Sequence, residues 1–95
     1  MKTIDINKLS LVNDFNMVNS LIAMVEAYET IEDKDFPRIE EYIKGKIIDR
    51  DLLEIGIQIV NDKKDGRNHI EIRERAESNL NEYMDRKEEE RIARV

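Results

Sequence analysis

The stretch from Leu11 to Tyr28 carries two rows of apolar side chains at helical spacing, and this pattern constrains the fold more than any other. The first row follows a 4-3-4-3 spacing, which places it on one face of a helix, and consists of Leu11, Phe15, Val18, Ile22 and Val25. The second row lies about a quarter turn away and consists of Met17, Leu21, Met24 and Tyr28. A helix with one buried face needs only one row. The second row therefore predicts a central helix that is flanked on two sides, or a surface that binds a partner.

The composition favours an all-α fold, a small bundle of about four helices. Of the 95 residues, 40% are hydrophobic and 40% are charged, which suits helices that have one wet face. Only 3 Gly and 1 Pro are present, too few for the many tight turns of a β-sandwich. A chain of this length builds one core, so residues 1–95 are predicted to form a single helical domain.

The first two helices have recognisable ends. The first is expected to begin between Asp5 and Ser10, either of which can act as an N-cap, and to run to about Glu29. A second, short helix is predicted from Asp35, because a capping carboxylate is followed there by Phe36-Pro37. Gly45 is the expected C-terminal stop of that helix.

The segment from Asp49 to Asp62 has two interpretations. As a helix capped by Asp49, it gathers its apolar residues on one broad arc and its polar residues, Asp62 included, on the other. Gly56 then lies within the apolar arc, where the missing side chain lets another helix approach closely. The alternative is an α+β fold with a β-hairpin formed by residues 53-60 and 69-73. The helix accounts for more residues and is preferred.

A final helix is predicted after Asn68, a plausible N-cap. Its apolar stripe consists of Ile72, Ala76, Leu80, Tyr83 and Met84. Beyond Met84 nearly every residue is charged, so residues 85-95 are expected to form a charged tail that projects into water or frays.

Charge and cysteine content exclude several classes of function. The net charge of −6 disfavours direct binding to nucleic acid or to anionic lipid. No apolar run approaches the roughly 20 residues of a membrane span, and no secretory signal is expected at the amino terminus, so no membrane insertion is predicted. The absence of cysteine removes disulfides and thiolate chemistry, and a cytoplasmic location is expected.

No pattern of residues predicts catalysis or a cofactor. His69 is the only histidine and is interpreted as a surface residue at a helix start. The loop from Asn61 resembles a calcium loop but has Lys63 at the third ligand position and Ile72 at the twelfth. We therefore predict no metal, no cofactor and no enzymatic activity.

Two further patterns in the sequence bear on binding to nucleic acid or to another protein. The short connection before Asp49 resembles a helix-turn-helix. The helix that follows it is apolar with acidic flanks, which argues against binding in a DNA groove.

Acidic residues cluster in the middle third of the chain, at Glu32, Asp33, Asp35, Glu40, Glu41, Asp49, Asp51 and Glu54. Interspersed basic residues make a solvated face the preferred interpretation. The alternative function is an acidic nucleic-acid mimic, or a phage or bacterial inhibitor that occupies a basic site on a target protein.

The second apolar row predicts the function that we prefer. Methionine is flexible and polarisable, and methionine pairs recur on adaptable binding surfaces. We therefore expect a small acidic regulator or adaptor that contacts another protein, or itself as a homodimer, through Met17, Leu21, Met24 and Tyr28. The tail from Asp85 is a secondary contact. In the competing interpretation the methionines fill the core between the first and third helices.

Overall fold

The computed structural model describes residues 6–93 and, within this range, the side chains of residues 13–90. Four α-helices account for most of this part of the chain. They are α1 (Ile6–Ala27), α2 (Phe36–Lys46), α3 (Arg50–Lys64) and α4 (His69–Ala93). A 3₁₀ turn at Asp33–Asp35 precedes α2. Both α1 and α3 contact all the other helices, so they form the centre of the bundle. The predicted all-α fold is confirmed.

The segment that had two interpretations is helical. Residues 53–60 lie within α3 and residues 69–73 within α4, so the alternative β-hairpin is wrong. The apolar arc of α3 faces the core through its buried residues Leu52, Ile55, Ile59 and Val60. The segment forms a helix rather than a strand because one face of a helix buries these residues together, whereas a strand would place Leu52 and Leu53 on opposite faces.

Gly56 lies in the middle of that arc and permits close packing, as predicted. A Cβ atom placed on Gly56 would lie 3.2 Å from Cδ1 of Leu21 and 3.4 Å from Cδ1 of Ile47. The side chains of α1 and of the α2–α3 junction therefore occupy the space that a larger residue on α3 would need.

The ends of α2 differ from the prediction. The helix begins at Phe36 with proline in its first turn, as expected, but the Asp35 side chain makes no capping hydrogen bond. Asp35 already has helical backbone angles because the 3₁₀ turn leads into α2, so its carboxylate is not placed to cap. Gly45 does not stop the helix, which continues to Lys46 and is followed by buried Ile47. Gly45 does not take the positive φ of a helix-terminating glycine, and the N–H of Ile47 still donates to the carbonyl of Ile43, so the helical bonding extends past Gly45.

Two predicted N-caps, Asp49 and Asn68, are confirmed, and a third candidate, Ser10, is not a cap. The Asp49 carboxylate accepts hydrogen bonds from the N–H groups of Asp51 and Leu52 at the start of α3. Asn68 accepts from the N–H of Glu71 at the start of α4. Ser10 lies inside α1, so it does not cap that helix, and Asp5 lies outside the described residues.

A buried carboxylate connects α1 to the α2–α3 junction. Asp14 is 2% exposed, and its two oxygens accept from the N–H of Ile48 at 3.1 Å and the N–H of Asp49 at 2.8 Å. These donors lie at the N-terminus of α3, where the helix dipole also favours negative charge. The interaction places the start of α3 against α1.

The same junction is connected to α4 through Tyr83. The Tyr83 hydroxyl donates to Oδ2 of Asp49 at 2.9 Å, and its ring meets the Phe15 ring edge-on at 5.7 Å between centroids. Burial, followed by this hydrogen bond and the charge of Asp49, raises the pKa of Tyr83, so the hydroxyl remains a donor. Asp14, Asp49 and Tyr83 thus join α1, α3 and α4 at one point.

A second polar cluster holds the other end of α3. Asp62 was predicted on the polar face, but it is 2% exposed. Its Oδ1 accepts from the Gln58 amide at 2.8 Å and lies 3.3 Å from the Arg75 guanidinium and 3.5 Å from that of Arg67. Arg75 lies on α4 and Arg67 lies in the α3–α4 turn. The Asp62 carboxylate, which the sequence placed on the solvated face, therefore holds this turn and α4 against the end of α3. The adjacent Lys63 ammonium donates to the carbonyl of Val25 near the C-terminus of α1.

The predicted charged tail begins where burial ends. All side chains from Met84 to Glu90 are exposed, while the helix itself continues to Ala93. Residues 94–95 lie outside the described residues, so fraying of the tail remains a prediction. Within residues 6–93, none of the helices combines the length and the apolar composition that crossing a bilayer requires.

Removal of the Asp14 carboxylate is expected to destabilise the fold. Asp14→Ala leaves two backbone N–H groups without their acceptor and should lower the free energy of unfolding by roughly 3 kcal/mol. The matched control is Asp85→Ala, on an exposed position of α4. Urea denaturation followed by circular dichroism measures both. Equal stability of the two variants would contradict the role assigned to Asp14.

Two glycines in helices should respond differently to alanine. Nothing lies within 4 Å of a Cβ atom placed on Gly45, so Gly45→Ala should gain about 0.5–1 kcal/mol of stability from helix propensity. Gly56→Ala gains the same propensity, but its methyl group presses on Leu21 and should cancel much of that gain. Thermal unfolding of both variants gives the comparison. An equal rise in Tm would show that the contact at Gly56 has no energetic effect.

Candidate protein-binding surface

The structure divides the predicted binding row between core and surface. Leu21 is 5% exposed and belongs to the core, beside Gly56 of α3. Met17 and Met24 are half-buried and pack against the core with their inner sides. Tyr28 is 61% exposed. The row is thus buried only at Leu21, half-buried on either side of it and exposed at Tyr28, because α3 and α2 cover it only in part.

An apolar groove of about 270 Å³ lies between this row and α2. Met17, Leu21 and Met24 line its α1 side. Ile39 and Tyr42 line its α2 side, where the Tyr42 ring is 56% exposed. The accessible wall of the groove is almost entirely apolar. Three of the four predicted residues are therefore brought together here.

A wider hollow of about 630 Å³ continues the groove towards the α1–α2 connection. It shares Met24, Arg38 and Ile39 with the first part and adds Tyr28 and Ile31. The two parts adjoin at these shared residues and together extend from Met17 to Tyr28, and we call them the α1–α2 groove. All four predicted residues line it.

The outer face of α1 beside the groove carries no charge. Between Lys8 and Glu26 the only charged residue is Asp14, which is buried. The exposed positions are small or amide-bearing, namely Asn13, Asn16, Asn19, Ser20 and Ala23. In a chain that is 40% charged, this is an unusual stretch of surface, because a solvated helix face here would be expected to carry several charges.

The α2 side of the groove carries basic side chains. Arg38 lines both parts of the groove, and the Lys46 ammonium lies 5.7 Å from the centre of the Tyr42 ring. Among residues 13–90, whose side chains are described, neither Arg38 nor Lys46 forms an ion pair. At the Tyr28 end, Lys34 pairs with Glu32 at 3.1 Å.

Sequence reasoning missed the contribution of α2 to this surface. It predicted the ends of the second helix and did not relate Ile39 or Tyr42 to the row on α1. A signal was present in the spacing of Arg38, Tyr42 and Lys46, which recur every four residues and so follow one side of α2. Such a basic and aromatic stripe differs from the core face formed by Phe36 and Ile43.

Of the other residues considered for function, Glu32 and Asp35 line the wider part of the groove, while His69 and Asp49 line neither part. His69 is exposed at the start of α4. In the acidic cluster of the middle third, Asp49 caps α3 and Glu32 pairs with Lys34, so these two are engaged within the chain. Within the part of the chain that the structure describes, no group of three or more His, Asp or Glu side chains is arranged to hold a metal ion.

Comparison of the chain with models of protein families, with curated proteins and with solved structures gives no match.

The same substitution at two positions of the row should separate core from surface. Leu21→Asp places a charge in the core and should cost about 3 kcal/mol or more, whereas Tyr28→Asp at an exposed position should change stability by less than about 0.5 kcal/mol. Urea denaturation of both variants provides the measurement. A charge at Leu21 therefore reports on folding, and binding is better tested at exposed positions. Unfolding of Tyr28→Asp would mean that the exposed end of the row is structural.

Proposed function

We propose that this protein is a non-enzymatic regulator or adaptor of the cytoplasm that acts by protein–protein contact through the α1–α2 groove. The observation that carries the proposal is the groove itself, an apolar channel bordered by an uncharged helix face in a chain rich in charge. Its partner is another protein or a second copy of the chain. Met17, Met24 and Tyr28 provide the contacts from α1, with Leu21 supporting them from the core.

The side chains of the groove are of the kinds that bind proteins well. Methionine adapts its shape to a partner, and tyrosine supplies a large contact area at low entropic cost. The half-buried Met17 and Met24 form the floor, and the exposed rings of Tyr28 and Tyr42 stand at the two ends. A partner that covers this surface would remove apolar area from water, which favours association.

The absence of charged side chains from the exposed face of α1, between Asn13 and Ala23, supports the same conclusion. A charged group at an interface must be paired or desolvated at a cost, and interface cores are depleted of charged residues. Asn16, Ser20 and Ala23 avoid that cost and allow close approach. The proposal that no catalysis is involved is supported by the sequence, which has a single histidine and no cysteine.

Site-specific photocrosslinking in the native host tests the proposal. A benzophenone amino acid replaces Tyr42 or Tyr28, so that an aromatic residue is retained at the groove. The control is the same amino acid at Ser78, an exposed position of α4. We expect crosslinked products from both groove positions at about tenfold the yield from the control. An adduct at twice the chain mass of 11.3 kDa would identify a second copy as the partner.

Equal yields from the groove and from Ser78 would contradict the proposal. A further measurement separates the apolar contact from an acidic mimic: the salt dependence of crosslinking in cell extract. A contact that is mainly apolar should lose little yield as salt rises, whereas a phosphate mimic should lose most of it.

A further inference from the structure

The charges around the α1–α2 groove point to the chemistry of its partner. We infer that the groove receives an amphipathic helix of another protein, with apolar residues at helical spacing and acidic residues along one flank. This inference depends on the proposed function, since it specifies what binds at the same surface.

The shape of the groove suits a short helix. It follows α1 from Met17 to Tyr28, a length of roughly 16 Å at 1.5 Å per residue, which corresponds to about three helical turns. The narrower part is lined almost entirely by apolar surface, the wider part also by polar side chains, and both parts are open to solvent. A helix that presents apolar residues at positions i, i+4 and i+7 would place them along this floor.

The two walls of the groove differ in charge. No charged side chain of α1 lines the groove, whereas Arg38 lines it from α2 and the Lys46 ammonium lies next to it, 5.7 Å from the centre of the Tyr42 ring. These cations have no ion-pair partner among the side chains of residues 13–90. Their sign is opposite to the net charge of −6 of the whole chain. A carboxylate on the flank of a bound helix that faces α2 would pair with them.

The charge also gives the bound helix a direction. At the Tyr28 end, Glu32 and Asp35 line the groove together with Lys34, and Arg38 lies between the two ends because it lines both parts. At the Tyr42 end no carboxylate lines the groove, and the Lys46 ammonium lies near the Tyr42 ring. The acidic residues of the partner are therefore expected at the end of its helix that lies near Tyr42.

A second copy of this chain does not offer such a helix among the described side chains. The exposed face of α1 from Asn13 to Ala23 has no carboxylate. The exposed end of α4 has Glu88, Glu89 and Glu90, but Met84 is its only apolar residue within 84–90. A helix of a different protein can combine the apolar row with the acidic flank.

Selection from a peptide library tests the inference. Random 16-residue peptides displayed on phage are first depleted on the full-length Tyr42→Asp variant and are then selected on the full-length wild-type chain. Tyr42 is exposed, so this variant is expected to fold, and circular dichroism verifies that it does. We expect enriched peptides to carry apolar residues three and four positions apart together with a net negative charge.

Affinity measurements on the most enriched peptide then test the role of Arg38. Fluorescence anisotropy gives its Kd for the wild type, for Arg38→Glu and for Lys44→Glu. Lys44 is an exposed cation on α2 that does not line the groove, which makes it a matched control. We expect Arg38→Glu to weaken binding about tenfold or more and Lys44→Glu to change it by less than about twofold.

Each contrary outcome has a distinct meaning. Enriched peptides that need Tyr42 but are neutral or basic, or that bind Arg38→Glu as well as the wild type, would overturn the acidic-helix inference and leave the proposed function standing. Light scattering that shows a wild-type dimer, dissociated by Tyr42→Asp, would also overturn the inference, because a second copy would then cover the groove. Failure to enrich any Tyr42-dependent peptide overturns the inference, and the proposed function falls with it only if the groove positions also give no excess of crosslinks.

Discussion

The hydrogen bonds of the Asp14 carboxylate are the interaction on which the arrangement of the helices depends. They join α1 to backbone groups that lie 34 and 35 residues further along the chain, at the point where α2 gives way to α3. Apolar contacts alone permit helices to slide or rotate, since dispersion forces have little direction. A buried carboxylate permits only the geometry in which both of its oxygens find donors, because an unmatched buried charge is costly.

This single junction explains why the α1–α2 groove exists. Once the start of α3 is fixed against α1, the short α2 must end there, and its axis is set by the burial of Phe36, Ile43 and Ile47. The opposite side of α2, with Arg38 and Tyr42, then faces the second apolar row of α1 without closing over it. The groove is thus a consequence of how α2 is anchored at its two ends.

The helices could be predicted from the sequence because their signals are local. Asp49 and Asn68 cap helices through N–H groups two or three residues away, and the arc of Leu52, Ile55 and Ile59 repeats at helical spacing. Asp14 and Asp62 could not be assigned in this way. Their partners include groups on other helices or on distant turns, so a carboxylate that reads as a solvated charge proves to be buried. The glycine signal also misplaced the end of α2, because Gly45 lies within the helix at a negative φ.

The candidate site shows the same division between local and distant information. Spacing alone identified the row from Met17 to Tyr28 and placed its members on one face of α1. It could not show how far α3 and α2 cover that face, which decides that Leu21 is core while Tyr28 is exposed. The spacing of Arg38, Tyr42 and Lys46 marks a basic and aromatic side of α2, but spacing cannot show that this side borders the row on α1, because the two meet only after the helices have packed side by side.

The placement of the aromatic residues has a spectroscopic consequence. The chain has 3 Tyr and no Trp, so tyrosine is the only source of its intrinsic fluorescence. Tyr28 and Tyr42 line the groove, and Tyr83 lies in the core with its hydroxyl bonded to a carboxylate. With Tyr83 replaced by phenylalanine, both remaining tyrosines would line the α1–α2 groove. A non-fluorescent molecule that occupied the groove would then change the protein's own tyrosine emission, without a label.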